Sequence, residues 1–492
     1  GYYLSITNNN ISIHSISTKG LFYGAMTLIQ IIENSNNQLI PTCDIVDWPS
    51  FKIRGISDDI SRGQVSNIDN FKKTIQTLAK YKMNTYMLYI EDMIMFDSYP
   101  SIGQNRGALS KQEISEIVKF ANLYYIDVIP IFQTLGHYEN ILAQPDFYKY
   151  AEFPGAASLN ISDDSIYIIL DNMIREVANA FPSEHIHIGA DESFDVGLGK
   201  SKKLVEKSDL ATVHANHYNK VYDICKKYNK KVMIYSDIIL ENPKIIDLIP
   251  KDITIIDWHY SIKDYETSTS LFANNKFNYI VSPSVWNFYC IMPVNFIALA
   301  NIKYLSIAGY QNKAIGIINS NWGDFGAETF KELNLLGYAW SAQCAWNINN
   351  TDIDKFSDIF IQNTYQPLDI NTANIIKDIY IMLSTPPNQI VWHDFWRHPL
   401  SKKLSSWPDN SKIQQKILWL EWTINTINNK INYAEKHIKQ NNDNFDILKF
   451  IIHATSFYKY KLQTSLMISD FMNNKIYNKD SILYVIDENI NL

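Results

Sequence analysis

The chain has 492 residues, 46% of them hydrophobic, so it can bury a sizeable core and is too long for one ordinary domain. A formal net charge of −7 argues against nucleic acid or an anionic membrane surface as the main partner. The four cysteines, Cys43, Cys225, Cys290 and Cys344, have neither zinc-like spacing nor the pattern of a disulfide framework, and no apolar run is long enough to span a bilayer. Residues 3–6 and 11–16 then read as short strands and 20–32 as a helix, the remnant of a small α/β domain ending at Asp47-Trp48-Pro49-Ser50. The chain opens on Gly1 inside the first strand, which suggests a fragment of a longer precursor. That leaves a soluble protein whose compartment, secreted, cell-surface or cytoplasmic, stays open.

From about Phe51 to Asn347 a strand-then-helix rhythm recurs. Eight candidate strands fall at 52–56, 84–90, 127–132, 185–189, 231–235, 253–258, 279–283 and 314–319. They are short and rich in Ile, Val, Met and Tyr, as strands buried on both faces should be. Between them lie helical stripes: Phe71, Ile75 and Leu78; a capping box at Ser110-Lys-Gln-Glu113 opening Ile114, Ile117, Val118 and Ala121; and Ile166, Ile169, Leu170, Met173 and Val177. The alternation predicts an α/β fold, a (β/α)8 TIM barrel over 49–348, after a partial α/β domain at 1–48. An open doubly wound sheet is the alternative, and no Gly-rich phosphate turn supports it. From 349 to 492 the pattern is helical. Ile413, Ile417, Leu420, Ile424, Ile427, Ile431, Ala434 and Ile438 recur in steps of three and four, with 445–471 as a partner segment. A homodimeric coiled coil and a helical domain bracing the barrel both fit, the second better.

The active site of such a barrel lies at the C-terminal ends of its strands. The residues there are Asp58-Asp59-Ile-Ser-Arg62, Glu91-Asp92, Gln133-Thr-Leu-Gly-His137, Asp191-Glu192, Tyr235-Ser-Asp237, Trp258-His-Tyr260, Ser284-Val-Trp286 and Asn321-Trp322-Gly-Asp324. Any one carboxylate here could cap a helix, but the whole set is poorly explained that way. No strand-end Lys suggests Schiff-base chemistry, and tryptophans occupy the loops where a phosphate barrel carries glycines. His185-x-His187 and His214-x-x-His217 lack a clear third metal ligand, so neither metal nor cofactor is expected. Consecutive Asp191 and Glu192 sit poorly for attack from opposite faces of a glycosidic bond. Substrate assistance resolves this: a 2-acetamido oxygen attacks the anomeric carbon, one carboxylate protonates the leaving oxygen, and the other receives the acetamido N–H.

His187-Ile-Gly-Ala-Asp191-Glu192 resembles the H-x-G-G-D-E signature of glycoside hydrolase family 20, the β-N-acetylhexosaminidases. Asp59-Ile-Ser-Arg62, Leu135-Gly136-His137 and Trp322-Gly-Asp324 resemble further family motifs in the right order, and Tyr89-Ile-Glu91-Asp92 resembles the exo-β-N-acetylglucosaminidase branch. The resemblance implies Glu192 as general acid/base with a raised pKa, and Asp191 as the group orienting the acetamido. It implies Arg62, Tyr235, Asp237, Trp258, Trp286, Trp322 and Asp324 around the sugar, with Glu91, His137 and His187 behind them and His137 with Glu91 as a relay to Glu192. A glycan ending in β-N-acetylhexosamine is the expected partner; a catalytically silent carbohydrate-binding barrel is the alternative. Three departures stand out: Ala190 for the usual second Gly, expected to be tolerated, Leu135 for a Pro, and Tyr235 for a Trp. Tyr260 and Tyr289 are candidates for the tyrosine that binds the acetamido carbonyl.

Overall fold

The computed structural model describes residues 1–35, 39–262, 265–324, 326, 328–385, 395–396, 410–472, 480, 483–484 and 487. They form two compact units. The first takes in residues 1–284, 301–321 and 340–351, the second residues 285–300, 322–339 and the chain from 352 on.

The first unit begins with a three-stranded antiparallel sheet, β1 (Tyr2–Ile6), β2 (Ile11–His14) and β3 (Cys43–Asp47), in the order β2-β1-β3. Sequence reading finds β1 and β2 and misses β3, whose five residues alternate half-buried and exposed around two aspartates and carry little apolar signal. The helix Thr18–Glu33 is capped by Ser17, whose side chain accepts from the amide of Gly20. Tyr2, Leu4, Ile6 and Tyr23 form a core with Trp346.

Eight parallel strands close a barrel: β4 (Ile53–Asp59), β5 (Thr85–Tyr89), β6 (Asp127–Ile131), β7 (His185–His187), β8 (Lys231–Tyr235), β9 (Thr254–Trp258), β10 (Tyr279–Ser282) and β11 (Gly316–Asn321). Each pairs with the next, and β11 closes on β4 with Ile317 opposite Arg54. All eight expected strands are present, with shifted ends. β4 runs three residues further, so Asp58 and Asp59 are strand residues, whereas β7 stops before Gly189. The expected stripes face inward: Phe71, Ile75 and Leu78 are fully buried, and the Ser110/Glu113 capping box forms as read. At the N-terminal end of β4, buried Arg54 donates to the carbonyls of Phe51, Lys52 and Lys82 and lies between the rings of Tyr23 and Trp346. It ties the barrel floor to the small sheet.

In the second unit the helices Asn410–Ala434 and Asp443–Met472 pack along each other. Ile413, Ile417, Leu420, Ile427, Ile431 and Ala434 are buried, as are Phe445, Leu448, Ile451, Tyr458 and Leu462 on the partner helix. Two seam positions differ from the expected pattern. Thr423 takes the buried place and leaves Ile424 half-buried, because the straight 3.6-residue helix drifts from a strict heptad. Ile438 lies past the helix, beyond the 3-10 turn Glu435–His437, where it bridges to Pro367. Among the described residues no helix is long and apolar enough to cross a membrane.

Candidate active site

The backbone stays in barrel register just past β7, where the amide of Ile188 donates to the Met233 carbonyl and the amide of Tyr235 to that of Gly189. It then turns sharply, with Gly189, Ala190 and Glu192 all at positive φ (64°, 67° and 47°). Gly189 is required twice over, since a Cβ there would also lie 2.0 Å from Gln133 Oε1. Ala190 enters the left-handed region with a Cβ, which costs about 1–2 kcal/mol; its replacement of glycine is accommodated with strain.

The turn brings consecutive side chains to one point. His137 Nε2 lies 3.5 Å from Asp191 Oδ2 and 3.4 Å from Glu192 Oε2. Gly136, next to His137, packs directly on this turn: a Cβ there would fall 2.5 Å from the Asp191 carbonyl. Burial opposes a charge on His137, but Asp191 and Glu192 outweigh it and push the imidazole up to about 11, with Arg62 working against them. Burial likewise opposes ionisation of Asp191, and the charge of His137 with hydrogen bonds from His137 and Gln133 overcomes it, holding the carboxyl below its usual range. Asp191 is therefore a buried, anchored carboxylate. Glu192 differs: its side chain is 48% exposed.

A polar network fixes the pair from behind. Gln133 donates from Nε2 to Asp191 Oδ1 (2.7 Å) and accepts on Oε1 from the Ala190 amide (3.0 Å), while Thr134 Oγ1 donates to the Ile188 carbonyl. Arg62 bridges Asp59 (3.0 Å) and Glu91 (3.2 Å) and lies over the Tyr89 ring, and the Tyr89 hydroxyl donates to Glu91. Burial pushes Glu91 up to about 7 despite Arg62. Arg62 Nη2 is 3.4 Å from His137 Nδ1, so the guanidinium stands between Glu91 and the imidazole. Gln133, Tyr89 and Asp59 thus join the site without having been given a role in it. Asp59 and Tyr89 stood inside the family-like motifs, whereas the sequence signal of Gln133 was its position at a strand end.

The remaining expected residues of this unit follow. Asp237 Oδ2 accepts from the Glu192 amide (2.8 Å) and Oδ1 from Trp258 Nε1 (3.4 Å); burial and the nearby Asp191 push it up to about 7. His187 is fully buried, its Nδ1 accepts from the Gly189 amide, and its ring lies 4.1 Å from that of Tyr235. Burial takes His187 down to about 3, so it is neutral and carries its proton on Nε2. Tyr260 packs against Trp258. Trp286, Trp322 and Asp324 belong to the second unit, as does Tyr289. There Trp286 packs against Phe288 and the Trp322 amide donates to Asn287 Oδ1. Among the described residues no group of three His, Cys, Asp or Glu side chains is placed to hold a metal ion.

Residues 51–295 match the model of the glycosyl hydrolase family 20 catalytic domain, and residues 1–48 match that family's domain 2, together more than half of the chain. The chain belongs to glycosyl hydrolase family 20. Within it, the chain is 30% identical over 227 residues to a beta-hexosaminidase of Porphyromonas gingivalis, covering 39% of this chain and 29% of that protein. It is 30% identical over 220 residues to a chitooligosaccharidolytic beta-N-acetylglucosaminidase of Bombyx mori, covering 39% of this chain and 36% of that one. The chain spans about a third of the length of these curated relatives. A Flavobacterium johnsoniae chitobiase structure shares the fold, with a TM-score of 0.64 at 18% identity over 99% of this chain and 82% of that one. So does Streptomyces plicatus N-acetyl-beta-hexosaminidase, with a TM-score of 0.59 at 20% identity over 73% of this chain and 78% of that one.

Proposed function

We propose that this family 20 chain is an exo-glycosidase that hydrolyses terminal β-linked N-acetylhexosamine with retention, through substrate assistance. The observation that carries the reading is the convergence of Asp191 and Glu192 on one nitrogen of His137, with Asp191 kept as a carboxylate. Two carboxylates on the same side of a sugar cannot attack from one face and protonate from the other. A buried carboxylate fixed by His137 and Gln133 is suited instead to accepting the acetamido N–H and stabilising the positive charge that develops as the carbonyl oxygen closes on the anomeric carbon. Glu192, with half its side chain in solvent, protonates the departing oxygen and then takes a proton from water as the oxazolinium ring opens. His137, charged and in reach of both, holds the two carboxylates together without itself reacting. Arg62, fixed by Asp59 and Glu91, offers paired donors suited to vicinal hydroxyls, and Trp258, steadied by Asp237, offers an apolar face. The sugar-binding roles of Trp286, Trp322 and Asp324 rest on the family resemblance.

The test is hydrolysis of an aryl β-N-acetylglucosaminide beside the matched aryl β-glucoside. Turnover of the first with little of the second is expected. Equal turnover would mean that the protein supplies its own nucleophile and that the role given to Asp191 is wrong. Binding of N-acetylglucosamine with no turnover of either substrate would favour a silent carbohydrate-binding barrel.

A further inference from the structure

The catalytic turn is strained, and one contact that holds it comes from a side chain outside the site. Ser193, fully buried, follows Glu192, whose φ is 47°. Its Oγ lies 3.2 Å from Nε2 of His214, also buried, on the helix Leu210–Lys227. The other ring nitrogen, Nδ1, is 3.0 Å from the carbonyl of Leu210, one helical turn back. A carbonyl only accepts, so Nδ1 carries a proton. Burial lowers the pKa of His214, so the ring is neutral and Nε2 bears a lone pair. The direction of each bond follows: Ser193 O–H donates to Nε2, and Nδ1–H donates to Leu210. The ring is steadied by Tyr218, one turn further along the same helix and 5.9 Å away between ring centroids.

The other contacts on this turn act elsewhere. Gln133 holds Asp191 and the Ala190 amide, and Asp237 holds the Glu192 amide. On the C-terminal side of Glu192, the amide of Phe194 donates back to the Glu192 carbonyl and so folds the chain around Ser193. On this second half the Ser193–His214 bond acts at the residue next to Glu192, and two residues further on Asp195 Oδ2 accepts from the amides of Ala157 and Ser158. A left-handed residue relaxes toward negative φ when its surroundings let it, and a rotation at Glu192 would swing its carboxylate.

We propose that His214 is a positioning residue for the reaction: by accepting from Ser193 it holds Glu192 in the left-handed conformation that aims its carboxyl at the leaving oxygen. The inference rests on the reading of Glu192 as general acid. It touches neither sugar nor reacting atoms, so the effect belongs in kcat and in the demand for proton transfer, not in ground-state binding. A leaving group of low pKa departs without a proton, whereas an alkyl or sugar alcohol needs one.

The experiment compares wild type with His214→Phe, which keeps a ring of similar size, and with Ser193→Ala, Ser193→Thr and the His214→Phe/Ser193→Ala double variant. Substrates are a 2,4-dinitrophenyl and a methyl β-N-acetylglucosaminide. Each single loss should lower kcat on the methyl glycoside, whose first step is slow, about 10-fold with KM within about twofold, and lower kcat/KM on the dinitrophenyl glycoside, which reports the first step alone, much less. The double variant should be no worse than the worse single, and Ser193→Thr, which keeps the hydroxyl, should retain most activity. Equal losses of kcat/KM on both substrates, multiplying losses in the double variant, or unchanged kcat on the methyl glycoside would overturn the proposal. Should His214→Phe fail to fold, Ser193→Ala against Ser193→Thr decides it on the same two substrates. A wild type inactive on both glycosides would sink the hexosaminidase reading itself, and the proposal with it.

Discussion

Ala190 shows how one methyl group bears on this site. At φ 67° its Cβ crowds the local carbonyl, and glycine would not. Ala190→Gly should therefore raise stability by about 1 kcal/mol, read as a higher denaturation midpoint at unchanged slope; a lower midpoint would mean the Cβ packs well enough to offset the strain. Gln133 carries the opposite expectation. Its amide donates to a charged carboxylate and to the Tyr89 hydroxyl and accepts from a strained backbone amide, all three buried. Gln133→Leu should cost about 1.5–3 kcal/mol in transition-state stabilisation, a fall in kcat of about 10- to 100-fold, with KM little changed; a pure KM effect would place Gln133 in substrate binding instead. The two residues mark the limit of legibility at this scale. Asp191, Glu192, His137 and Arg62 could be picked out because their side chains have recognisable chemistry at strand ends. Gln133 could not, because an amide acquires a role only through the geometry of its bonds. The strain at Ala190 was equally hidden, since φ is not written in residue type.

Among the elements, the barrel strands were legible because each is a short apolar run between helical stripes. Their ends were not. β4 continues through Asp58 and Asp59, residues that read as loop, because Tyr86 and Asn321 donate to the Asp58 carboxylate inside the barrel. β3 escaped notice because a half-exposed edge strand carries little apolar pattern. The helix Asn410–Ala434 was legible in period and not in phase. Leu420 is fully buried against Asp443–Met472, whereas Ile424, which a strict heptad would bury, is only half-buried. Leu420→Ala should destabilise the second unit by about 2–5 kcal/mol, and Ile424→Ala by less than about 1 kcal/mol. The two are compared by chemical denaturation followed by helical circular dichroism. Equal losses would put the seam where the sequence repeat, not the structure, has it.

At the scale of the molecule, buried titratable groups pull stability in opposing directions with pH. His187 and His217 are held near 3 by burial, and His185 and His214 are lowered too. A group with a depressed folded pKa contributes stability that is present above its unfolded value, near 6.5, and is lost as pH falls toward the folded one. Glu91 and Asp237, raised to about 7, and Asp92, raised as well, act the other way. Their contribution is present below the ordinary carboxyl range and is lost as pH rises through about 7. Between pH 4.5 and 6.5 the two sets largely offset each other, so acidification over that range should change stability only shallowly. Above 7 the balance differs. His137, raised to about 11, keeps a proton that the unfolded chain has already released, so its contribution is complete below about 6.5 and declines as pH rises. Between pH 7 and 8 stability should fall by about 1.4 kcal/mol through His137, with a smaller loss from Glu91 and Asp237 added to it. His137→Gln should remove the larger part of that fall and leave only the smaller loss that Glu91 and Asp237 contribute just above 7. A fall of the same size in the variant would mean that some other group binds the proton, and that the imidazole between Asp191 and Glu192 is neutral at working pH.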